Sequence, residues 1–195
     1  MQSGKQALLK NDPDEAIARF EAAQSYPENL GEGKLQGAQE NDIFYWLGCA
    51  YAALDRNEEA NEFWERAAMG LSEPSPAMYY NDQQPDKIFY QGLALRQLGK
   101  ENEAISRFQK LSDYGDKHID DEIKIDYFAV SLPDLLIWEV DLNKRNELFC
   151  KYLIGLGAFG LGKLTQAREN FEQVLEGDRY HAGAFVHLEL INMKI

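Results

Sequence analysis

One pattern of small, turn-forming and aromatic residues recurs four times along the chain. Each copy has a small residue, a turn residue seven positions later, an alanine twelve positions later and an aromatic residue four beyond the alanine. The copies are Gly4, Asn11, Ala16, Phe20; Gly48, Asp55, Ala60, Trp64; Gly92, Gly99, Ala104, Phe108; and Gly155, Gly162, Ala167, Phe171. An apolar or small residue follows each aromatic by three positions: Ala23, Ala67, Leu111 and Val174. Residues three and four apart share a helical face, so the pattern predicts one repeated face.

Each copy has the properties of a helical hairpin. The glycine lets a second helix approach closely, and the turn residue is a type that tolerates positive φ where the first helix ends. The alanine and the ring then face the first helix from the second. Asp12, Pro13 and Glu15 predict a capped start for one second helix, and Asn57 is predicted to cap another in the same way.

The sequence therefore predicts a single all-α domain over residues 1–195. We expect hairpins near 1–24, 42–69, 86–111 and 145–176, and a terminal capping helix at 181–194. Residues 25–41 and 72–85 are interpreted as ordered loops or short helical turns, because they contain apolar side chains to bury. Residues 112–144 contain too much apolar surface for a solvated loop, which favours an inserted helical element.

The phrase Tyr45-Trp46-Leu47-Gly48-Cys49-Ala50-Tyr51, followed by Ala60 and Trp64, resembles a tetratricopeptide repeat. So does the stretch from Gly155 to Gly162 with its later Ala167 and Phe171. The resemblance implies a right-handed superhelix, an α–α solenoid, that binds a protein or peptide and is not an enzyme. Tetratricopeptide repeats recur about every 34 residues. The alanines here stand at 16, 60, 104 and 167, so long insertions are expected between hairpins.

Three further runs resemble the C-terminal repeat region of large bacterial proteins whose N-terminal domain is uncharacterised and often associated with carbohydrate metabolism. The runs are residues 26–31, 79–83 and 131–136. This resemblance implies an alternative function, as the C-terminal scaffold or dimerisation region of a larger carbohydrate-related protein. The partner would then be an upstream domain of the same polypeptide. The first copy begins at Gly4, midway along its expected first helix, which agrees with a fragment.

Charge and cysteine usage narrow the possible partners and the compartment. The net charge is −13, which argues against nucleic acid because its phosphates would be repelled. No stretch is apolar for long enough to span a bilayer, so no membrane role is expected. Cys49 and Cys150 are expected to be reduced packing thiols, which fits a cytoplasmic protein. The oligomeric state is left open.

Candidate chemistry is weak throughout the chain. Residues 155–160 satisfy a dinucleotide-binding glycine pattern, but that fingerprint needs a preceding strand, and these glycines already have places in the fourth hairpin. His118, His181 and His187 have no metal-ligand spacing, and surface or terminal-helix roles are expected for them. No catalytic residue, cofactor or metal is predicted.

The remaining candidate is a surface on the first helices of the hairpins. Residues displaced from the packing glycines are predicted to line an apolar concave groove: Tyr45, Cys49, Phe89, Leu93, Arg96, Tyr152, Leu156 and Phe159. In the tetratricopeptide family, grooves that bind a C-terminal carboxylate use Lys, Asn and Arg on this face, so the resemblance implies that a clamp of that kind is disfavoured here. The alternative is that residues 112–144 or an upstream part of the polypeptide already cover the stripe.

Overall fold

The computed structural model describes residues 1–26, 38–77, 82–123 and 141–193. Within these ranges all regular secondary structure is helical. The helices are α1 (Gln2–Leu9), α2 (Pro13–Ala22), α3 (Asn41–Ala52), α4 (Asn57–Ala67), α5 (Pro85–Gln97), α6 (Glu101–His118), α7 (Leu142–Gly160), α8 (Leu164–Gly177) and α9 (Ala182–Asn192). Short turns join α1 to α2, α3 to α4, α5 to α6 and α7 to α8, so the predicted all-α class built from helical hairpins is confirmed.

The residues predicted to reverse the chain have left-handed backbones in all four hairpins. Asn11 has φ of 59°, Asp55 58°, Gly99 73° and Gly162 75°. Only a few residue types adopt this conformation without steric cost, and each of these four ends a first helix. A substitution by a β-branched residue at any of them would therefore strain the turn.

The glycines of three copies lie directly under the aromatic ring of the same copy. A Cβ atom built on Gly4 would be 2.5 Å from Phe20 Cε1, and one on Gly48 would be 2.4 Å from Trp64 Nε1. A Cβ on Gly155 would be 2.6 Å from Phe171 Cε1. Real side chains do not approach so closely, so the missing Cβ provides the space that the ring occupies. The four alanines of the pattern are fully buried.

Helix starts confirm one capping prediction and correct another. Asp12 is the N-cap of α2, where its carboxylate accepts a hydrogen bond from the Glu15 backbone N–H at 3.2 Å. Asn57 was predicted to cap α4, and this was wrong. Asn57 is the first residue of that helix, and the N-cap position is held by Arg56, which makes no capping hydrogen bond. Arg56 instead donates two hydrogen bonds to Glu59.

The chain divides into two compact units. The first contains Met1–Leu71 and Tyr90–Ala104, and its core includes Phe20, Leu47 and Trp64. The second contains Ser72–Phe89 and Ile105–Ile195, and Phe108, Leu153 and Phe171 are in its core. Helix α5 contributes residues to both units.

Parts of the predicted connecting segments fall outside the described residues: 27–37, 78–81 and 124–140. Helix α6 continues to His118 and α7 begins at Leu142, so residues 112–118 and 142–144 belong to these two helices. The acidic residues 120–122 are exposed, as expected for a solvated face.

Candidate functional site

The eight residues of the predicted groove are divided equally between the two units. Tyr45, Cys49, Leu93 and Arg96 lie in the first unit, and Phe89, Tyr152, Leu156 and Phe159 lie in the second. Each set is therefore described within its own unit.

In the first unit, Tyr45 of α3 is part of an aromatic layer. Its ring centroid is 5.3 Å from that of Trp46 and 5.6 Å from that of Tyr90. Burial raises the pKa of Tyr45 well above its ordinary value, and the neighbouring Cys49 raises it further. Burial also raises the pKa of the Cys49 thiol to about 11. Both groups are therefore protonated at neutral pH, and the thiol is a poor nucleophile there.

Solvent reaches the first unit's set at three positions. Cys49, Leu93 and Arg96 are half-buried, whereas Tyr45 is buried. Arg96 is held by Glu101, with its Nε 3.1 Å from one carboxylate oxygen and its terminal nitrogen 3.0 Å from the other. This part of the predicted surface is accessible, mixed apolar and cationic in character, and fixed at its edge by an ion pair.

In the second unit, the corresponding set is mostly in the interior. Phe89 and Leu156 are fully buried, Tyr152 is buried, and Phe159 is half-buried. The rings of Phe89 and Phe159 stack with centroids 5.3 Å apart, and Phe89 also contacts Phe108 at 5.9 Å. The structure thus brings Phe89 of α5 and Phe159 of α7 together.

Helix α9 lies over the aromatic side chains of the second unit. The His187 imidazole is edge-on to Phe89 at 5.2 Å between centroids and 6.0 Å from Phe171. Its Nδ1 is 3.2 Å from the Tyr152 hydroxyl and 2.7 Å from the Gly183 carbonyl oxygen. A Cβ on Gly183 would be 2.4 Å from the Tyr152 hydroxyl oxygen, so the helix begins in direct contact with this side chain. Helix α9 therefore packs against Phe89 and Tyr152, two of the four residues of the predicted set in this unit.

His181, for which a surface or terminal-helix role was predicted, has a specific place at the start of α9. It is the N-cap of α9, and its Nδ1 accepts a hydrogen bond from the Ala184 backbone N–H at 3.0 Å. Its ring lies 4.7 Å from that of Tyr152. Burial lowers the pKa of His181 below its ordinary value, while the charge of Asp178 acts in the opposite direction. The position just before an apolar run is a capping position, but histidine is not among the usual capping residues.

Two buried amides that the sequence reasoning missed hold the chain where it leaves α4. Asn41 donates from Nδ2 to the carbonyl oxygens of Ala67 at 2.8 Å and Met69 at 2.7 Å. Gln91 donates from Nε2 to Met69 O at 3.2 Å and Leu71 O at 2.9 Å. These bonds satisfy the carbonyl group of Ala67 at the end of α4 and two carbonyl groups of the chain that follows the helix. A buried Asn or Gln in an otherwise apolar helix is the sequence signal that could have revealed them.

Another missed residue is Lys5, whose exposed fraction is only 7%. Its Nζ lies 5.2 Å from the Trp46 ring centroid and 5.9 Å from that of Tyr90, and it is 3.5 Å from the Tyr90 hydroxyl. Ring faces attract a cation, so this lysine joins α1 to the aromatic layer of the first unit.

The glycine-rich stretch of α7 is used in helix packing. Residues 155–160 are helical throughout, and a Cβ on Gly157 would be 2.5 Å from the Phe108 carbonyl oxygen. One on Gly160 would be 2.1 Å from Phe108 Cδ1. These glycines lie inside a helix and pack against α6, which is not the strand-to-helix turn that a dinucleotide fingerprint requires.

In the part of the chain that the structure describes, no three or more His, Cys, Asp or Glu residues are grouped as a metal site would require. In the same part, every helix is too short or too polar to traverse a bilayer.

The hairpin formed by α5 and α6 is the part of the chain that a protein-family comparison recognises. Residues 88–116 match the tetratricopeptide repeat model. The match begins on α5 and ends on α6, and it includes Gly92, Gly99, Ala104 and Phe108 of the third copy.

Two solved structures illustrate the similarities found across nearly the whole chain. MamA 41-end from Desulfovibrio magneticus RS-1 shares 14% identity at a TM-score of 0.32, over 99% of this chain and 81% of that one. The C-terminal part of a TPR repeat-containing protein from Cytophaga hutchinsonii shares 14% identity at a TM-score of 0.30, over 98% of this chain and 69% of the other.

Proposed function

We propose that this chain is a non-catalytic scaffold module that binds a protein or peptide through the accessible side of its first helices. The observation that carries the proposal is the tetratricopeptide match on α5 and α6, in a chain whose hairpin skeleton recurs four times. Repeats of this kind build extended surfaces for partners. The residues that define the repeat pack the helices against each other, so the outward side chains are the ones that contact a partner.

The binding surface that we favour lies in the first unit. Leu93 offers an apolar contact, Arg96 offers a cation held in place by Glu101, and Cys49 is a half-buried member of the same predicted stripe. An amphipathic helix or an extended peptide with an apolar anchor and a nearby carboxylate has the complementary chemistry. The formal charge of −13 favours a partner that is basic or neutral overall.

The test is peptide selection followed by affinity measurement. Peptides selected from a displayed random library against the intact chain would be labelled and titrated with the wild type and with Leu93→Asp. We expect affinity to fall about tenfold, as for loss of an apolar anchor. Glu62→Ala is the matched control, because Glu62 is an exposed residue of α4 away from the predicted stripe. Equal affinity for Leu93→Asp, with an unchanged circular dichroism spectrum, would refute this surface.

A second candidate function, self-association as a dimerisation region, is favoured by the outward side of α9. Phe185 of α9 is 56% exposed, and Met193, the C-cap residue of the same helix, is 40% exposed. Surface helices usually present polar residues outward. Sedimentation of the wild type and of Phe185→Asp tests this candidate: a dimer that the substitution dissociates supports it, and a monomeric wild type at high concentration excludes it.

A further inference from the structure

We propose that α9 is a pH-sensitive cover over the aromatic face of the second unit, and that protonation of His181 at mildly acidic pH loosens it.

The cap works only with a neutral imidazole. Nδ1 of His181 accepts the Ala184 N–H bond at 3.0 Å, so the ring proton must be on Nε2. Protonation places a hydrogen on Nδ1 and turns the acceptor into a donor that faces another donor. It also puts a positive charge at a helix N-terminus, where the helix dipole is unfavourable for cations. Both effects destabilise the first turn of α9.

The first turn of α9 is also where the helix meets the covered face. Gly183 touches the Tyr152 hydroxyl, and His187, one turn later, contacts both Tyr152 and Phe89. A helix whose first turn frays loses these contacts first. The apolar side chains of the second unit's predicted groove set would then be exposed to solvent or to a partner.

The groups around His181 set the direction of the response. Tyr152 faces it from α7, Asp178 faces it from the connection after α8, and His187 of α9 faces the same Tyr152 ring. Burial disfavours the cation more than Asp178 favours it, so the folded state binds this proton less readily than the unfolded state does. The stability of the docked helix is therefore present above the unfolded pKa of about 6.5 and is lost as pH falls below it.

Hydrogen exchange measured by mass spectrometry tests the proposal without any partner. The full chain would be compared at about pH 7.5 and about pH 5.5, with exchange times corrected for the intrinsic effect of pH. We expect amide protection of peptides that cover α9 to fall about tenfold at the lower pH, as for loss of a helix cap. Peptides from α3 and α4 provide the internal reference and should be unchanged.

The decisive variant is His181→Asn, which keeps a capping acceptor that does not titrate. Its α9 protection should be the same at both pH values. His118→Gln is the control, because His118 is a half-buried histidine of α6 paired with Asp121, and its pH response should match the wild type. A wild type without pH response overturns the proposal, and so does an equal loss of protection in His181→Asn, which would assign the response to another group such as His187.

The consequence for binding rests on the proposed function and adds a second surface to it, the face of the second unit beneath α9. For peptides that bind this face, affinity should rise at lower pH in the wild type and stay constant in His181→Asn. Because the exchange experiment involves no peptide, a scaffold that binds nothing here would still show a releasable α9. The hydrogen-exchange result therefore tests the release of α9 independently of the proposed partner binding.

Discussion

The contact between Gly155 and Phe171 can be tested with Gly155→Ala, whose effect on stability should change sign when the Phe171 ring is removed. In the wild type, an added Cβ at Gly155 would be 2.6 Å from the Phe171 ring, which is fully buried and has no room to retreat. Once the ring is removed by Phe171→Ala, the same Cβ meets no obstacle from it. Gly155→Ala should therefore destabilise the wild type and stabilise the Phe171→Ala background.

The magnitudes follow from two opposing effects. Overpacking a tight core costs about 1–3 kcal/mol. Replacing glycine by alanine inside a helix contributes about 1 kcal/mol of stability. The net change is a loss of about 1 kcal/mol in the wild type and a gain of about 1 kcal/mol when the ring is absent, which is a coupling energy of about 2 kcal/mol. Phe171→Ala alone should cost about 3–5 kcal/mol.

Urea unfolding followed by far-UV circular dichroism measures all four corners of this cycle. Gly162→Ala is the matched control: its φ of 75° makes alanine costly, but a Cβ there has nothing within 4 Å. Its effect should be the same with and without Phe171. A Gly155→Ala effect of equal sign and size in both backgrounds would refute the close-contact explanation of the repeated glycine.

Three further predictions concern polar groups. Asn41→Ala should lower the free energy of unfolding by about 2 kcal/mol, because a buried carbonyl at the end of α4 loses its donor; thermal or urea unfolding measures it. Asp12→Ala should lower the free energy of unfolding by about 1 kcal/mol, because α2 loses its N-cap, whereas Asn57→Ala should lower it much less. The same unfolding assay measures both variants. Lys144 and Lys151 lower the pKa of Glu147 to about 2. The carboxylate should therefore add about 0.5 kcal/mol to the free energy of unfolding above about pH 4.5, and this contribution should vanish as pH falls toward about 2. Comparing Glu147→Gln with the wild type across this pH range measures that contribution.

Each of these has a clear contrary outcome. An Asn41→Ala variant as stable as the wild type would mean that water replaces the amide without loss. Equal costs for the two cap substitutions would contradict the assignment of Asn57 to the first helical position. A Glu147→Gln difference that persists at pH 2 would show that packing, and not charge, is what this side chain provides.

The hairpin geometry could be predicted because each element of it depends on residues close in sequence. Asn11 and Asp55 adopt positive φ because helix ends favour that conformation, and Gly48 meets Trp64 sixteen positions later in one hairpin. Asn57 shows the limit of this reasoning. A good capping residue stands one position inside the helix, because the left-handed turn at Asp55 fixes where the helix begins.

The candidate surface was less predictable, because the position of a residue on its helix does not decide whether its side chain is exposed. Phe89 and Leu93 are four residues apart on α5, yet Phe89 is fully buried beneath His187 and Leu93 is half-buried. Phe89 is in contact with Phe108 of α6, Phe159 of α7 and His187 of α9, and the last two are about seventy and a hundred residues further along the chain.

The sequence by itself determined the helical class, the reversals and the glycine–ring contacts, because these follow from backbone preferences and from spacings within one hairpin. Only the tertiary structure decided which of the predicted groove residues are accessible, that Asn41 and Gln91 hold the exit of α4, and that His181 caps the covering helix. These depend on contacts between residues far apart in the chain, for which local periodicity provides no information.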